Sequence, residues 1–449
     1  MASEIRDSDS VTSFRWKTTG TTQAPDRRDA PNLTNRRFRC QCQLERIFFP
    51  ESQRFPALRI AIVIERFAPG AGGVENVAWQ VSRELARAGD DVTIITRQSA
   101  TDTARDTARA IEFSENFEPH VTIQKVRVPS AWQPLRVVAF SRAASLASRS
   151  GAFDVVHSFS RTRHQDLYRA GGGSHSDYLR RTHSRAGSGL RQLSPRHRVL
   201  LSIEARVFGD PTQKIQCASR LVADAIVEEH GVSRERILIL PNAVDADRYG
   251  SSAAIEAGGK LRAQLDPKAE SIWLFPASGW RRKGLPLLFE ALATMPDSGL
   301  RLWIAGRDDE RPWRKTAEKL GIGERVRFLG PRDDLEVVYG AVDGMVLPTR
   351  YDAFANVTLE AAASGLPIIT TRANGAAEWL GDDVCLLESA HDPAALARAI
   401  IDLANVDQRR ALGLGAQKRA RSLDWAQHVS LLRAEYRRIR DARVNRPDR

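Results

Sequence analysis

The stretch VLPTRYDAFANVTLEAAASGLPIITTRANGAAE, residues 346–378, decides the fold of this chain. Apolar runs at 344–348 and 366–370 predict two buried strands, and the segment between them predicts a polar loop followed by a short helix. Asn356 is a suitable N-cap for that helix, and the Gly-Leu-Pro run ends it. Strand, helix and strand in this order indicate an α/β fold with a parallel sheet.

Two carboxylates flank the crevice that this unit predicts. Asp352 falls on the loop, and Glu360 falls in the first turn or so of the helix, where unpaired N–H groups and the helix dipole favour anions. Carboxylate oxygens accept hydrogen bonds from neighbouring hydroxyls, so the pair suits a polyhydroxyl ligand. An ordinary strand–loop–helix unit with solvated or capping carboxylates is the alternative that the residues alone leave open.

The length and composition of the chain limit its class. Its 449 residues are too many for one compact core and predict two domains. The 42% hydrophobic and 27% charged residues are typical of a soluble globular protein, and no apolar run is long enough to predict a transmembrane helix. The N-terminal stretch lacks the apolar core of a secretory signal, and the four cysteines match neither a disulfide framework nor a zinc site. We therefore expect a cytoplasmic protein.

The net charge of +12 and the pI of about 9.9 favour anionic partners. Nucleic acid, anionic lipid headgroups and a phosphorylated substrate all fit that charge, and simple solubility is the further alternative. The basic residues scatter along the chain without a recognised nucleic-acid-binding motif, so we expect no nucleic-acid partner.

Order is expected to begin at Leu58, after a polar, aperiodic stretch that predicts a disordered leader over 1–57. The run LRIAIVIERF predicts a strand buried on both faces, followed by a Gly-rich turn and an amphipathic helix. Gly72 and Gly73 lie in that turn, where N–H groups at a helix start can bind an anion; a tight turn without a ligand is the alternative. The spacing is not G-x-G-x-x-G, which disfavours a nicotinamide oxidoreductase.

The segment FDVVHSFSRTRHQDLYRAGGGSH, residues 153–175, carries further candidates. His157 lies at the end of an apolar run, Asp166 lies in the polar stretch after it, and His175 follows three glycines. We expect all three at the carboxyl ends of strands, where ligands of open α/β sheets gather. His175 is the strongest candidate for the active site, because the GGGSH loop leaves little room for a packing role.

An arginine-rich segment follows at 176–210. Arg180, Arg181 and Arg185 belong to it, and its arginines alternate with apolar residues. A basic amphipathic segment is typical of binding to a membrane surface, and it also suits a clamp for a phosphorylated acceptor. A solvated helical face is the alternative.

The strand SIWLFPA leads to a loop in which Arg281, Arg282 and Lys283 precede Gly284 at a helix start. Adjacent cations beside helix N–H groups can neutralise a diphosphate without a metal, although such surface runs are usually solvated. Arg248, after the turn at 242–243, is a further candidate phosphate contact. No cluster of metal-ligating residues accompanies these cations, so we expect no catalytic metal.

The Asp352-to-Glu360 spacing, the RKG run at 282–284 and the DLYRAGGGSH segment resemble the retaining GT-B glycosyltransferases of family 4. Within that family, the last segment resembles the bacterial glucosyltransferases of lipopolysaccharide core. This chain has Asp352 where the family commonly has Glu. The resemblance implies two Rossmann-like domains facing across a cleft: an acceptor domain at 58–211, a donor-nucleotide domain at 212–424, and a C-terminal helix at 425–445 that packs back on the first.

The resemblance also implies a nucleoside-diphosphate sugar as donor, with UDP preferred and GDP as the alternative, and no cofactor. The acceptor would be a lipid-linked or lipopolysaccharide glycan, reached from the inner face of the plasma membrane, and a GDP-mannose-dependent mannosyltransferase is the rival within the family. Together with the residue patterns, it implies catalytic roles for Asp352, His175 and Asp166, donor contacts for Arg282, Lys283, Glu360, Gly72, Gly73 and Arg248, and acceptor-facing or membrane-facing roles for Arg180, Arg181 and Arg185.

Overall fold

The computed structural model describes residues 56–68, 72–99, 120–129, 132–182 and 194–444. All of these belong to one compact unit, Glu51–Arg449. The predicted leader lies outside the described residues apart from its last two positions, and so does Arg185.

The strands of the first half are β1 (Arg59–Val63), β2 (Arg66–Phe67), β3 (Asp91–Thr96), β4 (Gln98–Ser99), β5 (Val121–Lys125), β6 (Val155–Ser158), β7 (Leu167–Arg169), β8 (Lys214–Cys217) and β9 (Ile237–Ile239). Strands β2 and β4 pair with each other, and the others form a parallel sheet in the order β5-β3-β1-β6-β7-β8-β9. Four of the five residues of β1 are buried, because helices cover both faces of a parallel sheet.

The described helices of this half are α1 (Gly73–Arg87), α2 (Gln133–Ser150), α3 (His175–Thr182), α4 (Pro195–Gly209) and α5 (Arg220–His230). Helix α1 buries Val77, Val81 and Leu85, which recur at helical spacing, in the same core as β1.

The second half has its own parallel sheet, in the order β12-β11-β10-β13-β14-β15. Its strands are β10 (Ser271–Pro276), β11 (Leu300–Ala305), β12 (Val326–Gly330), β13 (Gly344–Leu347), β14 (Ile368–Thr371) and β15 (Cys385–Leu387). Its helices are α6 (Ser252–Leu265), α7 (Trp280–Lys283), α8 (Leu285–Thr294), α9 (Arg311–Lys319), α10 (Leu335–Ala341), α11 (Asn356–Ala363), α12 (Ala377–Leu380), α13 (Pro393–Asp402) and α14 (Val406–Arg421).

The domain boundary predicted at 211/212 is wrong. Strand β8 pairs with β7, and β9 pairs with β8, so both extend the first sheet. The second sheet begins only with β10, and the chain therefore passes from one half to the other after Ile239. A strand–helix–strand pattern has the same local signal in either sheet, and pairing between distant strands decides which sheet it joins.

The last helix, α15 (Trp425–Val444), packs on the first half. Val429, Leu432 and Tyr436 lie in the core that contains β1 and α1, and Arg433 forms an ion pair of 2.8 Å with the buried Asp90. Among the described helices, none combines the length and the apolar character needed to cross a membrane.

Candidate functional site

Loops at the carboxyl ends of the two sheets contact each other. Asn242, which follows β9, donates from Nδ2 to Oδ1 of Asn356 at 2.6 Å. The Asn356 amide in turn donates to the carbonyl of Gly73 at 3.4 Å, and the Tyr351 hydroxyl donates to the carbonyl of Gly172 at 3.4 Å. In open α/β sheets, ligands bind at the carboxyl ends of strands, so these facing loops mark the candidate site.

Three charged side chains meet on the second half of this site. Lys283 ends the short helix α7, which follows β10, and its Nζ contacts the Asp352 carboxylate. Arg282 Nη1 lies 3.7 Å from Asp352 Oδ2 and donates to the Tyr351 carbonyl at 2.6 Å. The structure therefore brings together the cations and the loop carboxylate that the sequence singled out.

The side chains of Lys283 and Arg282 lie in a largely desolvated environment. Burial lowers the pKa of Lys283 well below its ordinary value, and the neighbouring Arg282 adds to that shift. Burial also lowers the pKa of Arg282. Tyr178, Tyr351 and Asp308 oppose the shift of the Arg282 pKa. A diphosphate entering here would meet two cations already positioned against one carboxylate.

Gly284 fixes the turn that holds Lys283. Its φ is +94°, in the left-handed region that favours glycine, and a Cβ added there would lie 2.0 Å from the Pro348 carbonyl oxygen. We expect Gly284→Ala to lower the free energy of unfolding by about 2–5 kcal/mol through backbone strain and overpacking, measured by urea denaturation. Gly321→Ala is the matched control, because Gly321 has φ +71° but open space around its Cβ position. Equal losses in the two variants would contradict the clash at Gly284.

Asn356 does not cap α11 as the sequence predicted. The helix begins at Asn356 itself, and its N-cap, Ala355, offers no side-chain acceptor. Asn374 Oδ1 instead accepts the Ala355 N–H at 3.3 Å. The Asn356 amide is thereby free to bridge Asn242 and Gly73, and it joins the two halves of the chain.

Glu360 points into a cavity between the two halves. Helix α11 positions its carboxylate, which accepts a hydrogen bond from the Tyr339 hydroxyl at 3.1 Å. Burial raises the pKa of Glu360 to about 7, against the opposing effects of Tyr339 and Arg248. The cavity wall includes Arg248 from the second half and Asn76 and Gln80 from α1. A carboxylate with this access can accept hydrogen bonds from ligand hydroxyls.

Arg248 is a wall of the cavity and is already paired. Its Nη2 donates to Glu336 at 2.9 Å and to the Asp333 carbonyl at 3.2 Å.

Gly72 and Gly73 lie on the first half of the chain, at the start of α1, where Gly72 is the N-cap. An added Cβ on Gly73 would lie 3.4 Å from Asn356 Nδ2, so the glycine allows the two halves to approach closely.

His175 begins α3 at the carboxyl end of β7, as predicted. It is buried; its amide donates to both oxygens of Glu204 at 2.8 and 2.9 Å, and its Nε2 lies 2.8 Å from His197 Nδ1. Burial, together with Arg161 and other cations nearby, lowers the pKa of His175 to about 3, so the imidazole is neutral near pH 7.

Arg180 and Arg181 are both tied to the buried Asp177, each at 2.7 Å. Arg180 also pairs with Glu229 at 2.6 Å, and its side chain is 59% exposed. Arg181 lies over the ring of Tyr351, 5.9 Å from its centroid, and so borders the cleft. Of the three predicted acceptor-facing arginines, Arg185 is outside the described residues.

Asp166 does not belong to this site, and its predicted position at a strand's carboxyl end is wrong. It precedes β7, where its carboxylate accepts the Val156 N–H at 2.8 Å and pairs with Arg443 of α15 at 3.1 Å. It therefore lies at the amino edge of the sheet. His157 is buried under α15, with Nδ1 2.7 Å from the Tyr436 hydroxyl, and serves packing.

The sequence reasoning missed Tyr351, Asn242 and Tyr339. Tyr351 links the Asp352 loop to the loop at Gly171–Gly173, which we call the triglycine loop. The position of Tyr351 beside Asp352 is the only local signal for it. Asn242 and Tyr339 act through residues distant in sequence, which no local pattern indicates. Within the described ranges, no three His, Cys, Asp or Glu side chains form a group that could hold a metal ion.

Two Rossmann-like halves, with cations and carboxylates gathered on facing loops, have the architecture of the GT-B fold. Residues 71–248 match the Glycosyltransferase Family 4 domain, and residues 270–405 match the domain described as Glycosyl transferases group 1. Together the two matches span more than half of the chain. The chain belongs to the GT-B glycosyltransferases of family 4 and is an enzyme of that class.

Two relatives show where the similarity lies. D-inositol 3-phosphate glycosyltransferase of Geodermatophilus obscurus is 29% identical over an alignment of 399 residues, and the match covers 82% of this chain and 85% of that protein. Lipopolysaccharide glucosyltransferase WaaG of Escherichia coli is 30% identical over 202 residues, which are 44% of this chain and 54% of WaaG.

Two solved structures share the fold. A crystal structure of WaaG, a glycosyltransferase involved in lipopolysaccharide biosynthesis, matches with a TM-score of 0.69 and 22% identity over 83% of this chain and 98% of that one. Anabaena Alr3699/HepE in complex with UDP-glucose matches with a TM-score of 0.64 and 17% identity over 84% of this chain and 100% of that one.

Proposed function

We propose that this enzyme transfers a hexose, glucose in the preferred assignment, from a UDP-sugar to a hydroxyl of a lipopolysaccharide-core or related glycan, with retention of configuration. The observation that carries the donor part is the group formed by Lys283, Arg282 and Asp352, on the same edge of the second sheet as Glu360. The UDP-glucose complex of Alr3699/HepE, which shares the fold, supports a nucleotide-sugar donor.

The residues divide the work of this reaction. Lys283 and Arg282 stabilise the leaving diphosphate, where negative charge develops in the transition state. Glu360 accepts hydrogen bonds from the ribose hydroxyls, and Asp352 holds the donor sugar. Among the residues that the structure describes, no carboxylate is placed as an evident nucleophile, which favours attack on the same face, assisted by the leaving group, over a covalent glycosyl-enzyme.

The acceptor enters beside the triglycine loop. The neutral imidazole of His175 lies at this end of β7, and Arg181 borders it over Tyr351. The similarity to the lipopolysaccharide glucosyltransferase WaaG supports a glycan acceptor. The triglycine loop contacts the Tyr351 hydroxyl, next to Asp352, so an acceptor hydroxyl held there would approach the donor sugar.

A phosphorylated cyclitol is the second candidate acceptor. A relative that spans most of this chain is a D-inositol 3-phosphate glycosyltransferase, and His175 has Arg161 and Arg196 as neighbouring cations. Arg196 is exposed and could pair with an acceptor phosphate, whereas Arg161 is engaged by Glu204 at 2.9 Å.

The proposed glycan acceptor is anchored in lipid, and we place the enzyme on an anionic membrane surface. Helix α2 and the residue before it expose Trp132, Leu135 and Leu146, and the exposed Arg142 and Arg149 lie on the same helix. Large apolar side chains interspersed with arginines favour the boundary between anionic headgroups and acyl chains.

A panel of donors and acceptors tests the proposal. UDP-glucose, other UDP-hexoses and GDP-mannose are each incubated with deep-core lipopolysaccharide or with inositol 3-phosphate, and transfer is followed by released nucleotide and by mass spectrometry. We expect transfer from a UDP-hexose to the core glycan, with an axial anomeric bond retained from the donor in the NMR spectrum of the product. Transfer only to inositol 3-phosphate would select the second acceptor, and an inverted anomer would refute retention.

A further inference from the structure

Arg169 is the last residue of β7 and lies at the carboxyl edge of the first sheet. It is buried, at 4% exposure, and no carboxylate in the described part of the chain forms an ion pair with it. Burial lowers the pKa of Arg169 to about 10, so the guanidinium stays charged near pH 7. Burying a charge without an opposite charge is costly to the fold, and such groups are typical of functional sites.

Two asparagine amides connect Arg169 to the other half of the chain. Arg169 donates from Nη2 to Oδ1 of Asn242 at 2.5 Å. Asn242 donates to Oδ1 of Asn356 at 2.6 Å, and Asn356 donates to the carbonyl of Gly73 at 3.4 Å. We call these three side chains and the Gly73 carbonyl the amide relay. The relay fastens the start of α11 to the ends of two elements of the first half, β7 and α1.

The guanidinium fixes the direction of the amide relay. Because a guanidinium has donors only, Asn242 must turn its oxygen toward Arg169 and its NH2 group toward Asn356. Asn356 then accepts with its oxygen, and its own NH2 group faces the Gly73 carbonyl, which is an acceptor. Without a donor at position 169 both amides could turn over, and two oxygens would then face each other at Gly73.

The amide relay ends in the wall of the cavity that Glu360 faces. Asn356 lines that cavity together with Glu360 and with Ala243, the residue after Asn242. Asn356 is the first residue of α11, and Glu360 lies four residues later, about one turn along the same face of the helix. A displacement of the start of α11 therefore moves the Glu360 carboxylate.

We propose that Arg169 is a positioning residue for the nucleotide-sugar donor. Through the amide relay it holds the start of α11 against the first half and so places Glu360 for the ribose hydroxyls. This inference rests on the proposed function, in which Glu360 binds the ribose. The ribose does not react, so its contacts are the same in the ground state and in the transition state, and the relay contributes to donor affinity more than to kcat.

Arg169→Met tests this role, because it removes the donors and the charge and retains an apolar side chain beside the Phe159 ring. We expect KM for the UDP-sugar and Kd for UDP to rise about tenfold, with kcat within about threefold of wild type. Arg169→Lys should recover most of the affinity, because the relay uses a single N–H of the guanidinium and an ammonium can supply one. Initial rates and UDP calorimetry measure these quantities. A fall in kcat with unchanged KM would overturn the proposal.

A double variant shows whether Arg169 acts through the asparagines. Asn356→Ala should weaken UDP binding about tenfold by itself, and alanine suits the first turn of α11, so the helix is retained. Adding Arg169→Met to Asn356→Ala should then weaken UDP binding by no more than about twofold further, because the relay no longer reaches α11. Losses that add in full would mean that Arg169 acts by another route, and they would overturn the proposal.

Arg325→Met is the matched control for the loss of a buried arginine. Arg325 is 6% exposed and donates to the carbonyls of Leu292 and Met295 in the second half. Its replacement should lower Tm and leave Kd for UDP within about twofold. If Arg169→Met fails to fold, Asn242→Ala removes the next link of the relay and takes its place in the same measurements.

The wild-type titration separates this inference from the proposed function. A wild-type chain that binds no UDP would refute the proposed donor, and the role of Arg169 with it. A wild-type chain that binds UDP no more tightly than a folded Arg169→Met variant would overturn the role of Arg169 alone.

Discussion

Replacing Lys283 with methionine is expected to lower kcat for glycosyl transfer by about 10²–10³-fold, the effect of removing one preorganised group that stabilises transition-state charge. Methionine retains most of the buried volume of the side chain and removes the ammonium that contacts Asp352. Because negative charge grows on the diphosphate as the sugar departs, kcat should fall much more than the affinity for UDP. Initial rates and UDP calorimetry measure the two quantities.

Two controls make this result specific to the site. Lys260→Met removes a lysine whose side chain is 76% exposed on α6, and it should leave kcat within about twofold. Circular dichroism and thermal unfolding of Lys283→Met show whether the fold persists. A folded Lys283→Met enzyme with nearly normal kcat would refute the role of Lys283 in leaving-group stabilisation.

Much of the donor side could be predicted because each of its residues follows an apolar strand. Lys283 comes after β10 and Asp352 after β13, and the carboxyl ends of neighbouring parallel strands necessarily meet at one edge of a sheet. Glu360 was placed correctly on a helix that follows the loop. Local hydrophobic periodicity predicts these positions, and the family resemblance supplied their assignment to the donor site.

The errors arose where distant contacts decide the outcome. Asp166 stands only a few residues before the triglycine loop, but a three-residue strand lies between them and places the carboxylate at the other edge of the sheet, against Arg443. Asn356 had the chemistry of an N-cap, yet its amide bridges Asn242 and Gly73 instead.

Glu360→Gln is expected to weaken use of the donor and to change how stability depends on pH. An ionised carboxylate accepts stronger hydrogen bonds from hydroxyls than an amide oxygen does, so the variant should lose about 10–100-fold in kcat/KM for the donor. In the wild-type enzyme the pKa of about 7 predicts that kcat/KM rises with pH through neutrality and then levels, because only the ionised form binds the ribose well. Glu360→Gln should lack that rise.

The same raised pKa makes the carboxylate a cost to the fold at high pH. Since the pKa of Glu360 rises from 4.5 to about 7 on folding, the folded state binds more protons than the unfolded state between these values, and stability falls as pH increases through that window. Glutamine has no such dependence. The Tm of Glu360→Gln relative to wild type should therefore be higher at about pH 8 than at about pH 5.

Glu256→Gln, on a side chain that is 72% exposed, should show neither this pH dependence of Tm nor the loss of kcat/KM. If the difference in Tm between Glu360→Gln and wild type stayed constant across that pH range, the pKa of Glu360 would not be raised on folding. The pKa of about 7 leaves Glu360 mostly protonated below neutrality, and only its ionised form is expected to bind the ribose well. A wild-type kcat/KM that stayed level through neutrality would therefore contradict this role of Glu360.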